Sequence, residues 1–133
     1  MTLYVDSSAL LKRYVDEHDS DAAIELMATD PVLLTSRITE VEVRRNLARL
    51  LDAGALDGAR RQFTVDLDVF ALMGIDSVIC NDAARIAEQT LCRSLDALHV
   101  ASALRAGAST VVLTFDIRQA RTARSMGLSV VGC

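Results

Sequence analysis

The chain has 133 residues, eighteen acidic and fourteen basic side chains and a net charge of −4, values that suit one domain with a sizeable core and speak against a nonspecific nucleic-acid binder. It is 51% hydrophobic with only one proline and six glycines, which speaks against disorder. The longest uncharged run, residues 106–115, is far short of a membrane span and the N-terminus lacks the pattern of a secretory signal, so the expectation is a cytoplasmic protein with no membrane association.

Hydrophobic periodicity alternates between short apolar runs and helix-length segments. Leu3 to Val5 reads as a strand, and Ser7-Ser8 offers an N-cap to a helix carrying Leu10, Leu11 and Tyr14. A second helix is predicted from Ser20 to Ala28, stopped by Asp30-Pro31 before a strand over Val32–Leu34. Two longer helices follow, from Thr39 to Asp52 and from Asp57 to Leu72, each closed by a glycine. Ser77 to Cys80 is read as a short strand. Asn81 and Ser94 then cap helices ending near Leu91 and Gly107. Thr110–Leu113 is a buried strand, Asp116 caps the last helix, and Leu128–Val131 closes the sheet. Strands separated by helices imply an α/β fold with a mainly parallel sheet. There is no repeat, low-complexity segment or linker, so residues 1–133 are read as a single domain.

Cys80, Cys92 and Cys133 are odd in number and widely spaced, which supports neither a disulfide framework nor a Cys-x-x-Cys metal site. They read as buried thiols, with Cys133 at the chain end. Thirteen of the fourteen basic residues are arginine, the side chain best shaped to grip a phosphate through two parallel hydrogen bonds.

Four acidic positions stand close to the C-terminal ends of strands or the starts of helices: Asp6, Glu42, Asp96 and Asp116. An open parallel sheet gathers such positions into one crevice at the carboxyl ends of its strands. Taken singly, each has a structural role available: Asp6 and Asp116 as N-caps, Asp96 at the positive end of a helix dipole, and Glu42 paired with Arg45 or Asn46 one turn on. Their conjunction favours a shared site. Two carboxylates ~4 Å apart repel by roughly 4 kcal/mol at an effective dielectric near 20, so a cluster of four calls for a cation.

The residues carrying this pattern resemble the PIN-domain ribonucleases, in particular the VapC toxins of type II toxin–antitoxin pairs. Tyr4-Val5-Asp6-Ser7-Ser8-Ala9-Leu10 resembles the opening strand and Asp-x-Ser-Ala-Leu motif of that family. Ser36 followed by Glu42, Val43 and Leu47 is similar to its second motif, Asp96-Ala97-Leu98-His99-Val100-Ala101-Ser102-Ala103 to its third, and Val112-Leu113-Thr114-Phe115-Asp116 to its fourth. The resemblance implies a three-layer PIN-like fold with about five short strands flanked by helices. It also implies a Mg2+- or Mn2+-dependent endoribonuclease. Asp6, Asp96 and Asp116 would hold the metal, Glu42 would position a water at the ion, and Ser8 and Thr114 would orient the carboxylates. Expected partners are an RNA substrate, a small cognate VapB-like antitoxin, and a second copy of the chain in a homodimer or a larger toxin–antitoxin assembly.

Glu40 competes with Glu42 for the second acidic position. The 100° helical step sets Glu40 near Leu47 and Leu51 and Glu42 beside Arg45, Asn46 and Arg49, and the spacing from Ser36 favours Glu42. Arg44, Arg45 and Arg49 near Glu42, and Arg118 and Arg121 after Asp116, are candidate phosphate guides, with Arg124 at the same spacing. His99 lies one turn after Asp96 on a mostly apolar helix and reads as structural, while His18 reads as solvated. The alternatives are a solitary PIN-domain nuclease of RNA processing or DNA metabolism and, less well supported, a phosphatase or a receiver-type signalling domain. A haloacid-dehalogenase-type phosphatase wants an acid where Ser8 stands, and a receiver wants a lysine after a late strand, whereas the only lysine is Lys12. No glycine-rich phosphate loop is present.

Overall fold

The computed structural model describes residues 2–29 and 32–133. Five strands, β1 (Thr2–Val5), β2 (Leu33–Ser36), β3 (Ala71–Met73), β4 (Thr110–Leu113) and β5 (Ser129–Val131), form one sheet in the order β3-β2-β1-β4-β5. Every pairing is parallel, with Leu3 opposite Leu33 and Val111, and Val5 opposite Leu113. The helices are α1 (Ser7–Leu11), α2 (Ser20–Ala28), α3 (Arg37–Leu50), α4 (Ala53–Leu67), α5 (Ser77–Thr90), α6 (Ser94–Ala106) and α7 (Ile117–Ser125).

Alternation along β1 divides the core in two. Leu3 and Val5 pack with Leu10, Met27, Val43, Leu47 and Phe63 on one face, while Tyr4 joins Ile79, Ile86, Val100 and Leu128 on the other. Burial on both faces is what an all-parallel sheet covered by helices requires. β1 is central, and the chain leaves it toward β2 on one side and returns through β4 on the other. The carboxyl ends of β1 and β4 therefore bound the switch-point crevice of an open sheet. The backbone closes that end, since the Asp6 N–H donates to the Leu113 carbonyl at 3.1 Å.

Several boundaries differ from the sequence reading. Ser77–Cys80 is the first turn of α5, capped by Asp76, whose Oδ1 accepts from the Ile79 N–H at 2.9 Å. The missing strand is Ala71–Met73, which the sequence reading had absorbed into the preceding helix. That helix runs over Ala53–Leu67 behind an Asp52 cap. Of the caps that the sequence offers for α1, Asp6 serves and Ser7 and Ser8 do not, and the helix ends at Leu11, before Tyr14. The stop assigned to Asp30-Pro31 lies outside the described residues. Cys80 is exposed and Cys92 half-buried, against the expectation of buried thiols, while Cys133 is exposed at the chain end. Cys80 lies on the outer side of α5, where a strand had been expected to bury it. Among the described residues no helix is long and apolar enough to cross a membrane.

Candidate active site

Asp6 leaves the end of β1 as the N-cap of α1 and is 1% exposed. Its Oδ1 accepts from the Ala9 N–H at 2.9 Å and the Ser8 hydroxyl at 2.7 Å. Its Oδ2 accepts from Gln119 Nε2 at 2.9 Å and from the Thr114 hydroxyl. Burial pushes the Asp6 carboxyl above its usual range, and nearby His99 together with the hydrogen bonds from Thr114, Ala9 and Ser8 offsets part of that rise. Capping and membership of the site are therefore compatible at this residue. The hydroxyls are themselves fixed by the chain: Ser8 Oγ accepts from the Phe115 N–H at 3.0 Å, and Thr114 Oγ1 from the Asp116 N–H at 3.1 Å.

Asp116 follows β4 and caps α7 through the Arg118 N–H at 2.9 Å. Asp96 sits in the first turn of α6 and is buried. Between them lies the guanidinium of Arg93. Its Nε and Nη2 grip Asp96 at 2.7 and 3.0 Å, and Nη2 reaches Asp116 at 2.7 Å. Burial alone would raise the Asp116 pKa. The hydrogen bond and charge of Arg93, with the backbone N–H of Arg118, outweigh it and hold the carboxyl below its usual range.

Glu42 projects from α3 to meet His99 of α6, with Oε1 2.5 Å from Nε2, while the other ring nitrogen stands 2.7 Å from the Tyr4 hydroxyl. A carboxylate can only accept, so Nε2 carries a proton and donates to Glu42. Glu40 instead pairs with Arg37 at 3.5 Å on the half-exposed side of α3.

Asp6, Glu42, Asp96 and Asp116 line one cleft of about 210 Å3 together with Ser8, Arg93 and Gln119. An adjoining groove of about 580 Å3 carries Lys12, Asn46, Arg49 and Arg118. A third cavity of about 220 Å3 carries Arg93, Arg118 and Arg121. Arg44 and Arg45 are exposed on α3 and line none of the three. Among the described residues no three His, Cys, Asp or Glu side chains converge closely enough to hold an ion as they stand. The donor set nonetheless suits a hard cation: the acids are oxygen ligands, and a guanidinium already occupies the gap between two of them.

Two residues of the site escape the sequence reading. Gln119 follows Asp116 by three positions and Arg93 precedes Asp96 by three, helical spacings that were the available signal. His99 was read as structural. It is buried as expected, yet its ring is the contact that holds Glu42.

The chain belongs to the PIN domain family, whose model matches residues 3–125. It is 33% identical over 130 residues to Ribonuclease VapC46 of Mycobacterium tuberculosis, an alignment covering 97% of this chain and 95% of that one. Ribonuclease VapC35 of the same organism is 35% identical over 134 residues, with the same shares covered. In fold, the chain superposes on a structure described as a toxin-antitoxin complex from Klebsiella pneumoniae with a TM-score of 0.74 at 19% identity, over 99% of this chain and 97% of that one.

Proposed function

We propose that this protein is an endoribonuclease of the VapC type that hydrolyses RNA phosphodiester bonds as the toxin of a toxin–antitoxin pair, with Mg2+ or Mn2+ as cofactor. The observation that carries the reading is the meeting of Asp6, Glu42, Asp96 and Asp116 in one cleft at the carboxyl ends of β1 and β4. Kinship to two relatives named as ribonucleases supports it.

Asp96 and Asp116, with Asp6 behind them, are the residues that would hold the ion. When bound, the ion supplies positive charge for the reacting phosphate and makes water a stronger nucleophile near neutral pH. Glu42, held by His99, orients the attacking water and accepts its proton at the carboxylate. Ser8, Thr114 and Gln119 hold the buried Asp6 carboxyl in place, and the two hydroxyls offset part of the rise that burial imposes on it. Arg49, Arg118 and Lys12 in the adjoining groove, with Arg121 beyond, offer contacts for backbone phosphates.

Exposed Val41, Leu50, Val65 and Val69, on α3, α4 and the turn after α4, offer apolar surface to a small VapB-like antitoxin and to a second copy of the chain in a homodimer. The protein is placed in the cytoplasm with its RNA substrate. The test is to map RNA 5′ ends after brief induction of the wild type and of Asp6→Asn in the same host. Discrete cuts appearing only with the wild type, and lost from the purified protein in excess EDTA, are expected. Undiminished cleavage in EDTA would rule the mechanism out.

A further inference from the structure

Among the described residues lining the carboxylate cleft, Arg93 is the only cation, and its position is unusual for one. It is the N-cap of α6, its carbonyl accepting from the Ala97 N–H at 3.0 Å, so its charge stands at the positive end of the helix. A basic side chain is disfavoured there unless acids compensate. Two do, and one nitrogen, Nη2, serves both Asp96 and Asp116. The three partners differ in exposure. The Asp96 side chain is 5% exposed and that of Asp116 31%, whereas that of Arg93 is 45% exposed. The acids thus form the wall, and the guanidinium covers them from the solvent side, free to leave without unpacking the core.

Resting on the nuclease reading above, we infer that Arg93 is a built-in counter-ion: it neutralises Asp96 and Asp116 in the metal-free protein, gives up that place to the divalent ion, and then binds a phosphate of the RNA backbone. Guanidinium and metal exclude one another, because a divalent ion between the two carboxylates would face a positive group within a few ångströms. The destination of the displaced side chain is also visible. Arg93 lines both the carboxylate cleft and the neighbouring cavity of about 220 Å3, where Arg118 and Arg121 stand exposed with no ion-pair partner among the described residues. Swung to that side, it makes a third arginine beside the cleft, and the bidentate fork released from Asp96 suits phosphate equally well. Metal entry would thereby free a substrate contact, so that the phosphate-binding surface is complete only when the site is charged.

A plain structural staple would behave differently. Removing a staple loosens the acids and leaves metal affinity unchanged or weaker, whereas removing a competing cation strengthens metal binding. The experiment is calorimetric titration of Mn2+ into the wild type, Arg93→Gln and Arg93→Lys without RNA, followed by cleavage assays at saturating Mg2+. Arg93→Gln is expected to bind Mn2+ about fivefold or more tightly, with Arg93→Lys in between. In the cleavage assay Arg93→Gln should raise KM for RNA more than it lowers kcat. In the wild type, the Arg93 Nε–H resonance should move during a Mg2+ titration with the same midpoint as metal binding, a readout that stands even if a variant fails to fold. Equal or weaker Mn2+ binding by a folded Arg93→Gln, or a resonance that stays still while metal binds, overturns the role of Arg93 and leaves the nuclease reading intact. A wild type that binds neither ion while still cleaving RNA overturns both.

Discussion

His99 connects Tyr4 to Glu42: its two ring nitrogens lie 2.7 Å from the tyrosine hydroxyl and 2.5 Å from the carboxylate, so a buried strand residue fixes the one acid of the site that comes from α3. Tyr4 is wholly buried and, by that burial and by the nearby charges of Asp6 and Glu42, its hydroxyl keeps its proton well above the usual tyrosine range. It therefore meets Nδ1 as a hydroxyl and not as a phenolate. Glu42→Gln should lower cleavage by about 100-fold or more, the range of a lost general base, while Glu40→Gln stays near wild type because Glu40 pairs with Arg37. His99→Leu should lose much of the activity, and His99→Gln, which keeps a donor near the Nε2 position, should retain more. Initial rates on one RNA substrate decide it, and full activity in His99→Leu would remove the positioning role.

Gln119 is a second indirect support, since it donates to the buried Asp6 carboxylate at 2.9 Å and is itself 3% exposed. Gln119→Leu leaves Asp6 Oδ2 with the Thr114 hydroxyl alone, and hydrogen bonds to charged groups contribute about 1.5–3 kcal/mol. Ser8→Ala removes a donor from Oδ1 and also orphans the Phe115 N–H. Each variant should lower the urea midpoint by a comparable amount and reduce cleavage. A stability within about 0.5 kcal/mol of wild type, the range typical of surface substitutions, would mean that Asp6 does not depend on these donors.

Much of this arrangement was legible in the sequence, because Asp6 and Asp116 follow apolar runs whose strand character is plain and Asp96 opens a helix with an obvious apolar face. What misled was local chemistry at short elements. Ala71–Met73 has three residues, follows a helix with only a short turn between, and is half-exposed at the sheet edge, so periodicity could not separate it from α4. Ser77–Cys80 reads as apolar and β-branched, but Asp76 ahead of it is the cap that makes it helical. Spacing can flag Arg93 and Gln119 beside an acid on their own helices, but it does not reveal the partner in another element: Asp116 for Arg93, Asp6 for Gln119 and Glu42 for His99. The spacing from Ser36 marks Glu42 over Glu40, and the two glutamates, about 200° apart around the helix, do part, one into the cleft and one onto Arg37.

Tyr14 sets an alkaline limit on stability. Its hydroxyl donates to Asp66 Oδ2 at 2.6 Å, joining the segment after α1 to α4. Burial first, then the hydrogen bond to Asp66 and its charge, raise its pKa above the ordinary 10.0. A raised folded-state pKa means that the contribution is fully present below the unfolded value and is lost as pH climbs above it, since the unfolded chain releases the proton first. Tyr14→Phe keeps the edge contact with Phe63, at 5.6 Å between ring centroids, and removes the titrating group. The variant should be less stable at neutral pH yet lose less stability than wild type between about pH 9 and 11, the window around a free tyrosine. Urea melts at both values test this, and parallel losses in the two proteins would exclude Tyr14 as a source.

Gly132 ties the end of β5 to the active site. Its φ is +105°, and a Cβ built there would stand 2.3 Å from the Thr114 carbonyl oxygen and 3.2 Å from Leu113 Cδ1. The obstacle is backbone, so no side-chain rotation relieves it. Thr114 cannot yield freely either, because its N–H donates to the Val131 carbonyl at 3.1 Å and its hydroxyl donates to Asp6. Gly127 provides the control: its φ is also positive, at +86°, but nothing lies within 4 Å of its Cβ position. Gly127→Ala should therefore cost only the left-handed backbone strain, about 1–2 kcal/mol, with cleavage retained. Gly132→Ala carries the same strain plus a clash that must push Thr114 away from Asp6. It should be the less stable of the two and should lose most cleavage even at temperatures where it remains folded. Thermal melts paired with cleavage rates on both variants make the comparison, and equal activity in the two would show that Thr114 can move without disturbing the site.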